Sequence, residues 1–162
     1  MIHKPALPVD SGASTLHGRR AIVRRARIER LAMELLRLAD AARLPVPVDT
    51  LWHSPPPGLW PPPSTSQQTL VEDTDNPYLT RFITAREIAA FVNQSDRGIK
   101  EQLLGSTPMD DEERTLFAIA LLMPTALLAT LSRRQLMPDR VAHIFQVPAA
   151  LAEQRLRELD YL

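Results

Sequence analysis

The side chains that could bind a metal or act as nucleophiles are few and scattered in this chain of 162 residues. The absence of cysteine from the sequence excludes a disulfide framework, a zinc–cysteine cluster, an iron–sulfur centre and a thiol nucleophile. The four histidines are His3, His17, His53 and His143. None stands four residues from another, the spacing that places two imidazoles on one face of a helix. The histidines therefore predict no metal site.

Motifs for other common chemistries are also missing from the sequence. There is no Gly-x-Ser-x-Gly turn of the kind that carries a serine nucleophile, and the five glycines form no phosphate-binding loop. Four carboxylates stand together at residues 110–113, just before an apolar stretch. Carboxylates suit the positive end of a helix dipole. This acidic run therefore has a structural explanation that needs no active site.

Basic residues are concentrated near the N-terminus, although the whole chain balances 19 basic against 19 acidic residues. Up to Arg37 there are eight basic and three acidic residues, a net charge of +5, so the remainder carries −5. The densest run comprises Arg19, Arg20, Arg24, Arg25 and Arg27. These arginines are candidates for contacts with an anion or nucleic acid. The alternative, which we favour, is a solvated helix face.

Composition predicts a tail followed by one helical domain. Residues 1–19 are typical of a flexible basic tail, and residues 20–162 are predicted to form a single domain. Apolar periodicity predicts a helix over about 20–43, ended by Pro45. Further helical segments are predicted over 47–51, 84–92, 96–104, 110–123, 124–131, 138–145 and 148–159.

The fold class expected from these patterns is mainly α with a small β element. Two short strands are predicted over residues 69–71 and 78–82. A proline-rich loop occupies residues 54–66, because prolines at 55–57 and 61–63 favour extended conformations and cannot donate to a ladder. Such a loop can dock on a partner or cover a cleft, and the sequence leaves both open.

The sequence favours a soluble, cytoplasmic protein without a membrane span. The longest apolar stretch, residues 116–131, is interrupted by Pro124, and a span needs about 20 apolar residues. A buried helix pair is the preferred interpretation of this stretch. The first residues also lack the apolar run of a secretion signal.

Three segments resemble the zinc peptidases of the ImmA/IrrE family. Residues 81–91 read Arg-Phe-Ile-Thr-Ala-Arg-Glu-Ile-Ala-Ala-Phe, similar to the family's active-site helix, typically Arg-Phe-Thr-x-Ala-His-Glu-x-Gly-His-Phe. Residues 113–124 resemble the second signature, which ends in Leu-Leu-Met-Pro, and residues 141–156 resemble the C-terminal segment. The resemblance implies a zincin-like helical domain that ends in helix-turn-helix-like helices.

The resemblance breaks at the residues that would hold the metal. In the family's helix two histidines bind zinc, and the glutamate between them acts as general base. The matching positions here are Arg86, Glu87 and Ala90. Arginine stays protonated without a lone pair to give, and alanine has no donor atom. Glu87 at the base position and Glu113 at the third-ligand position remain.

We call these four residues the vestigial cleft, and we expect it to hold no metal or cofactor and to have no peptidase activity. A further hypothesis concerns the charge that replaces zinc. Because two carboxylates without a cation would form an unpaired acidic site, we expect the Arg86 guanidinium to pair with Glu113, Glu87 or both.

The combined interpretation is a non-catalytic pseudo-peptidase that regulates through a protein partner. By resemblance, that partner is a repressor-like or toxin–antitoxin-like protein. One alternative is a DNA-associated transcriptional regulator that uses the arginine-rich helix 19–30 and the C-terminal helices, with Gln154, Arg155 and Arg157 facing DNA. A packing role for these last helices is preferred, because acidic residues accompany the arginines. The second alternative is an active metallopeptidase with atypical ligands.

Overall fold

The structure is a computed structural model that describes residues 12–64, 75–94 and 105–162. Within these ranges the chain is mainly helical, and no residue of them lies in a β-strand. The helices are α1 Gly12–Leu38, α2 Val48–His53, α3 Pro77–Asn93, α4 Asp111–Leu122, α5 Thr125–Leu128, α6 Pro138–Phe145 and α7 Ala149–Glu158. The mainly α fold class is therefore confirmed.

The predicted strand over residues 78–82 is wrong, because this segment is the first part of α3. The Asn76 side chain caps the helix by accepting hydrogen bonds from the backbone N–H groups of Tyr78 (3.0 Å) and Leu79 (3.3 Å). Pro77 follows in the first turn, where its missing N–H costs nothing. The predicted strand 69–71 and helix 96–104 lie outside the described residues.

Helix α1 is longer at its start and shorter at its end than the sequence predicted. It begins at Gly12, before the predicted boundary at residue 20, and it ends at Leu38. The end is set by Asp40, which adopts a left-handed backbone (φ 49°), and by the N–H of Ala41, which donates to the Leu36 carbonyl at 2.9 Å. Such a turn closes a helix without proline.

Helix α4 is the centre of the fold. Residues 117–122 are all buried, and the helix packs against α1 on one side and α3 on another. Burying each large apolar side chain of this kind stabilises the fold by about 1.5–3 kcal/mol. The prediction that the apolar stretch 116–131 is a buried helix pair is confirmed for α4, whereas α5 is a single turn in which only Leu128 is buried.

Polar side chains fix α3 within this core. Arg81 is buried and donates to the carbonyls of Val46 (2.7 Å) and Gln146 (3.2 Å), so it joins α3 to the segments before α2 and after α6. Burial lowers the pKa of Arg81, and the nearby Asp49 carboxylate opposes the shift. At the other end of α3, the Asn93 amide hydrogen-bonds both backbone groups of Met109.

The remaining contacts complete the domain. Trp52 of α2 packs edge-on against Phe91 of α3, with ring centroids 5.1 Å apart. Helices α6 and α7 pack on each other across a turn in which Gln146 has a left-handed backbone (φ 55°). No described helix combines the length and the apolar composition that crossing a membrane requires.

Candidate functional site

Helix α3 brings the first three residues of the vestigial cleft to the surface. Arg86, Glu87 and Ala90 are partly exposed, whereas the neighbouring Ala89 is buried in the core. Residues 86 and 90 are one turn apart and share a helix face. A guanidinium and a methyl group on that face offer no lone pair. From α3, only the carboxylate of Glu87 remains as a donor for a cation.

Glu113 lies at the beginning of α4, where it serves as part of the helix cap. Asp110 accepts a hydrogen bond from the Glu113 N–H (2.9 Å), and the Glu113 carboxylate accepts one from the Asp110 N–H (3.1 Å). This reciprocal arrangement is a capping box. The predicted structural explanation of the acidic run 110–113 is thus confirmed for the helix start.

Arg24 of α1 forms hydrogen bonds with the same Glu113 carboxylate. Its Nε contacts Oε1, its Nη2 donates to Oε2 at 2.8 Å, and its Nη2 also reaches the Pro108 carbonyl at 3.3 Å. The pair is bidentate, the strong geometry for arginine and carboxylate. Only 14% of the Glu113 side chain is exposed. This hydrogen bond raises the pKa of Arg24 and lowers the pKa of Glu113, against the effect of burial.

The predicted pairing of Arg86 with Glu113 or Glu87 is wrong. The Arg86 guanidinium instead forms an ion pair with the Asp111 carboxylate at 2.5 Å. Arg114 forms a second ion pair with the same carboxylate at 2.8 Å. The physical reason is that Arg24, carried by the adjacent α1, already holds Glu113. A cation does accompany Glu113, as the hypothesis required, but that cation is Arg24, and Glu87 forms no ion pair with the described residues.

These residues do not fit a zinc ion. The two positions that hold histidine in the ImmA/IrrE family are Arg86 and Ala90 here, and neither side chain offers a lone pair. The carboxylate at the third-ligand position, Glu113, is bound by a guanidinium and forms part of a helix cap. Arg24 is paired with Glu113, and Arg86 and Arg114 are paired with Asp111, so these carboxylates are already engaged by guanidinium groups. Across the ranges that the structure describes, no three His, Cys, Asp or Glu side chains are grouped to hold a metal ion.

The Arg24–Glu113 pair predicts a pH dependence of stability. Because the pKa of Glu113 is lowered on folding, its contribution is complete above the unfolded value of about 4.3 and is lost as the pH falls through the folded value. We expect Glu113→Gln to lower the free energy of unfolding by about 1–2 kcal/mol at pH 7 and by much less at pH 3. Urea denaturation at both pH values measures this difference.

Glu112→Gln is the matched control for this prediction. Glu112 lies in the same first turn of α4, is exposed, and forms no hydrogen bond or ion pair with the described part of the chain. We expect a small effect of this change at both pH values. An equal loss of stability in Glu113→Gln at pH 3 and pH 7 would contradict the role given to the pair.

The arginine run of α1 divides into paired and unpaired members. Arg24 binds Glu113, and Arg25 binds Glu158 at 2.6 Å. Arg19, Arg20 and Arg27 are exposed, and none of them forms an ion pair within residues 12–64, 75–94 and 105–162. A surface depression of about 390 Å³ is lined by Arg19, Arg20, Val23, Arg24 and Arg27. We call these five residues the basic face.

Arg155 is not available to contact DNA, because it is buried, with 2% of its side chain exposed. It donates to Glu29 of α1 (2.6 Å), to the Met123 carbonyl (3.2 Å) and to the Thr125 hydroxyl (3.1 Å). Burial acts to raise the pKa of Glu29, but the hydrogen bond and charge of Arg155 lower it overall. The packing role expected for the C-terminal helices is confirmed at this residue.

A larger concave surface lies away from the vestigial cleft. It is a groove of about 1090 Å³ along α1, lined by apolar residues such as Ile22 and Met33 and by charged residues such as Arg30 and Glu34. None of its lining residues belongs to the vestigial cleft. The groove is therefore a surface feature separate from Glu87 and Glu113.

Comparison with known proteins identifies a family model that covers the vestigial cleft. The sequence model of the IrrE N-terminal-like domain, peptidase family M78, matches residues 55–157, which include all four residues of the vestigial cleft. Neither the curated proteins nor the solved structures gave a match. Helix α1, with Arg24 and Glu29, precedes the matched segment.

Proposed function

This chain belongs to the IrrE N-terminal-like peptidase family, and we propose that it is a non-catalytic member, a pseudo-peptidase that regulates by binding a protein. The proposal is supported by the presence of Arg86 and Ala90 at the positions of the histidine ligands. It is also supported by the ion pair between Arg24 and Glu113, which engages the carboxylate at the third-ligand position. The remaining donor, Glu87, cannot hold zinc alone, because such sites use three protein ligands.

The consequence for chemistry concerns the attacking water. A zinc peptidase lowers the pKa of a bound water to about 7, which supplies hydroxide at neutral pH. Glu87 can accept a proton, but a carboxylate alone does not activate water to this degree. We therefore infer that the vestigial cleft has kept the arrangement of α3 and α4 without the hydrolytic reaction.

The partner in this proposal is a repressor-like or toxin–antitoxin-like protein, and the setting is the cytoplasm. The resemblance to regulatory peptidases motivates this choice. A domain that keeps its α3–α4 scaffold can retain a surface for a protein that an active relative would cleave.

A cleavage assay tests the non-catalytic role. We expect no proteolysis of unfolded casein by the purified chain, with or without added zinc, beyond that seen with the Glu87→Gln variant. That variant removes the carboxylate at the base position and is the matched control for contaminating proteases. Cleavage that a chelator stops and Glu87→Gln abolishes would show that the chain is an active metallopeptidase.

A further inference from the structure

We propose that the basic face of α1 is a docking site for a short acidic segment of a protein partner that also carries apolar side chains. The proposal rests on the proposed function in one respect, that the chain acts through a protein. It adds the chemistry of that partner and its place of contact, beside the vestigial cleft.

The geometry of the basic face suits a short segment. Arg20, Arg24 and Arg27 are four and three residues apart, a spacing that puts them on one side of the helix. From Arg19 to Arg27 the helix rises by about 12 Å. Val23 lies among these arginines, and 49% of it is exposed. The face thus presents an apolar side chain surrounded by guanidinium groups.

Three of the four arginines on this face have charges that the fold leaves uncompensated. Residues 18–23 are all exposed, so α1 meets solvent around its circumference there. Arg19, Arg20 and Arg27 have no carboxylate partner in the described ranges, whereas Arg24 is neutralised by Glu113. Three available guanidinium groups can each pair with a carboxylate of another molecule.

The surroundings favour an acidic peptide over nucleic acid. Because Arg24 contacts both Glu113 and the Pro108 carbonyl, the basic face borders the acidic first turn of α4. Asp110 and Glu112 are exposed at that turn. They would repel a duplex whose phosphates continue past Arg24, whereas a short acidic segment can end at Arg24.

Val23 gives a second reason to prefer a peptide. An exposed valine among arginines contributes to binding by removing apolar surface from water, and a leucine side chain covers it more completely than a sugar–phosphate backbone does. A peptide that mixes carboxylates with leucine satisfies both kinds of contact. Since Arg24 also holds Glu113, such a segment would lie next to the vestigial cleft.

The test measures binding of two fluorescent probes by anisotropy in low salt, about 50 mM. The first probe is a peptide of about 12 residues that repeats Glu-Asp-Leu, and the second is a DNA duplex of about 20 base pairs. We expect the peptide to bind more tightly than the duplex. Binding should weaken as salt is raised, because exposed charges are screened.

Two variants locate the binding on the basic face. Arg20→Glu combined with Arg27→Glu should weaken peptide binding about tenfold or more, because attraction becomes repulsion at two contacts. Val23→Ser, which keeps every charge, should weaken it about threefold. The control combines Arg133→Glu with Arg134→Glu, two exposed arginines between α5 and α6, and should stay within about twofold of the unmodified chain.

The outcomes are distinct from those that judge the proposed function. Absence of peptide binding, equal binding by the Arg20 and Arg27 variant, or tighter binding of the duplex would overturn the acidic-peptide proposal. None of these results bears on zinc or cleavage, which depend on the vestigial cleft. All of the substituted side chains are exposed, and far-ultraviolet circular dichroism of each variant verifies that its fold is retained.

Discussion

Arg155→Ala is expected to destabilise the chain by about 3 kcal/mol, the lower end of the range for breaking a buried ion pair by removing one partner. The guanidinium joins three elements, because it donates to Glu29 of α1, to Met123 at the end of α4 and to Thr125 of α5. Its removal leaves Glu29, which is only 29% exposed, without its charge partner. It also leaves a cavity where the side chain was packed.

Arg157→Ala is the matched control for this prediction. Arg157 is on the same helix and also pairs with a glutamate, Glu153 at 2.5 Å, but both side chains are largely exposed. Such surface pairs contribute about 0–1 kcal/mol. Urea denaturation measures both variants, and a thermal melt should show Arg155→Ala lower by roughly 6–12 °C. Similar stabilities for the two variants would contradict a central role for Arg155.

The second large effect is expected on zinc affinity when the histidines are restored. Arg86→His with Ala90→His places two imidazoles one turn apart on α3, the spacing that binds zinc. We expect this double variant to bind zinc weakly, because Arg24 still holds Glu113. Adding Arg24→Ala frees that carboxylate as a third ligand. The triple variant should bind zinc about 10- to 100-fold more tightly, the size of effect seen when groups that contact a metal ligand are changed.

Isothermal titration with zinc compares the double and triple variants. Glu113→Gln in the triple background is the control, since it removes the third ligand and should return the affinity to that of the double variant. Equal affinities of the double and triple variants would show that Arg24 does not compete with the metal. The comparison therefore isolates the contribution of α1 to the loss of the site.

The sequence predicts most of the helices because their signals are local. Helix α6 has the predicted bounds, and α4 and α7 each lie within one residue of theirs. The strand predicted over residues 78–82 fails for a reason that is also local. The pair Asn76–Pro77 is a helix-start signal, and its weight exceeds the β preference of the few residues after it.

The contacts of the site could not be read from the sequence. Arg24 and Glu113 are 89 residues apart, and nothing in the spacing of either indicates the other. Arg155 could be placed on α7, but its burial depends on which side α1 covers. The four residues of the vestigial cleft lie within the segment that the family model matches, whereas Arg24 lies before that segment.

A zinc titration of the unmodified chain is the most direct test of the central claim that this cleft has lost its metal. After exhaustive dialysis against a chelator, the account predicts no stoichiometric zinc binding by calorimetry or elemental analysis. One tightly bound zinc per chain, with an affinity that falls in Glu87→Gln or Glu113→Gln, would contradict it.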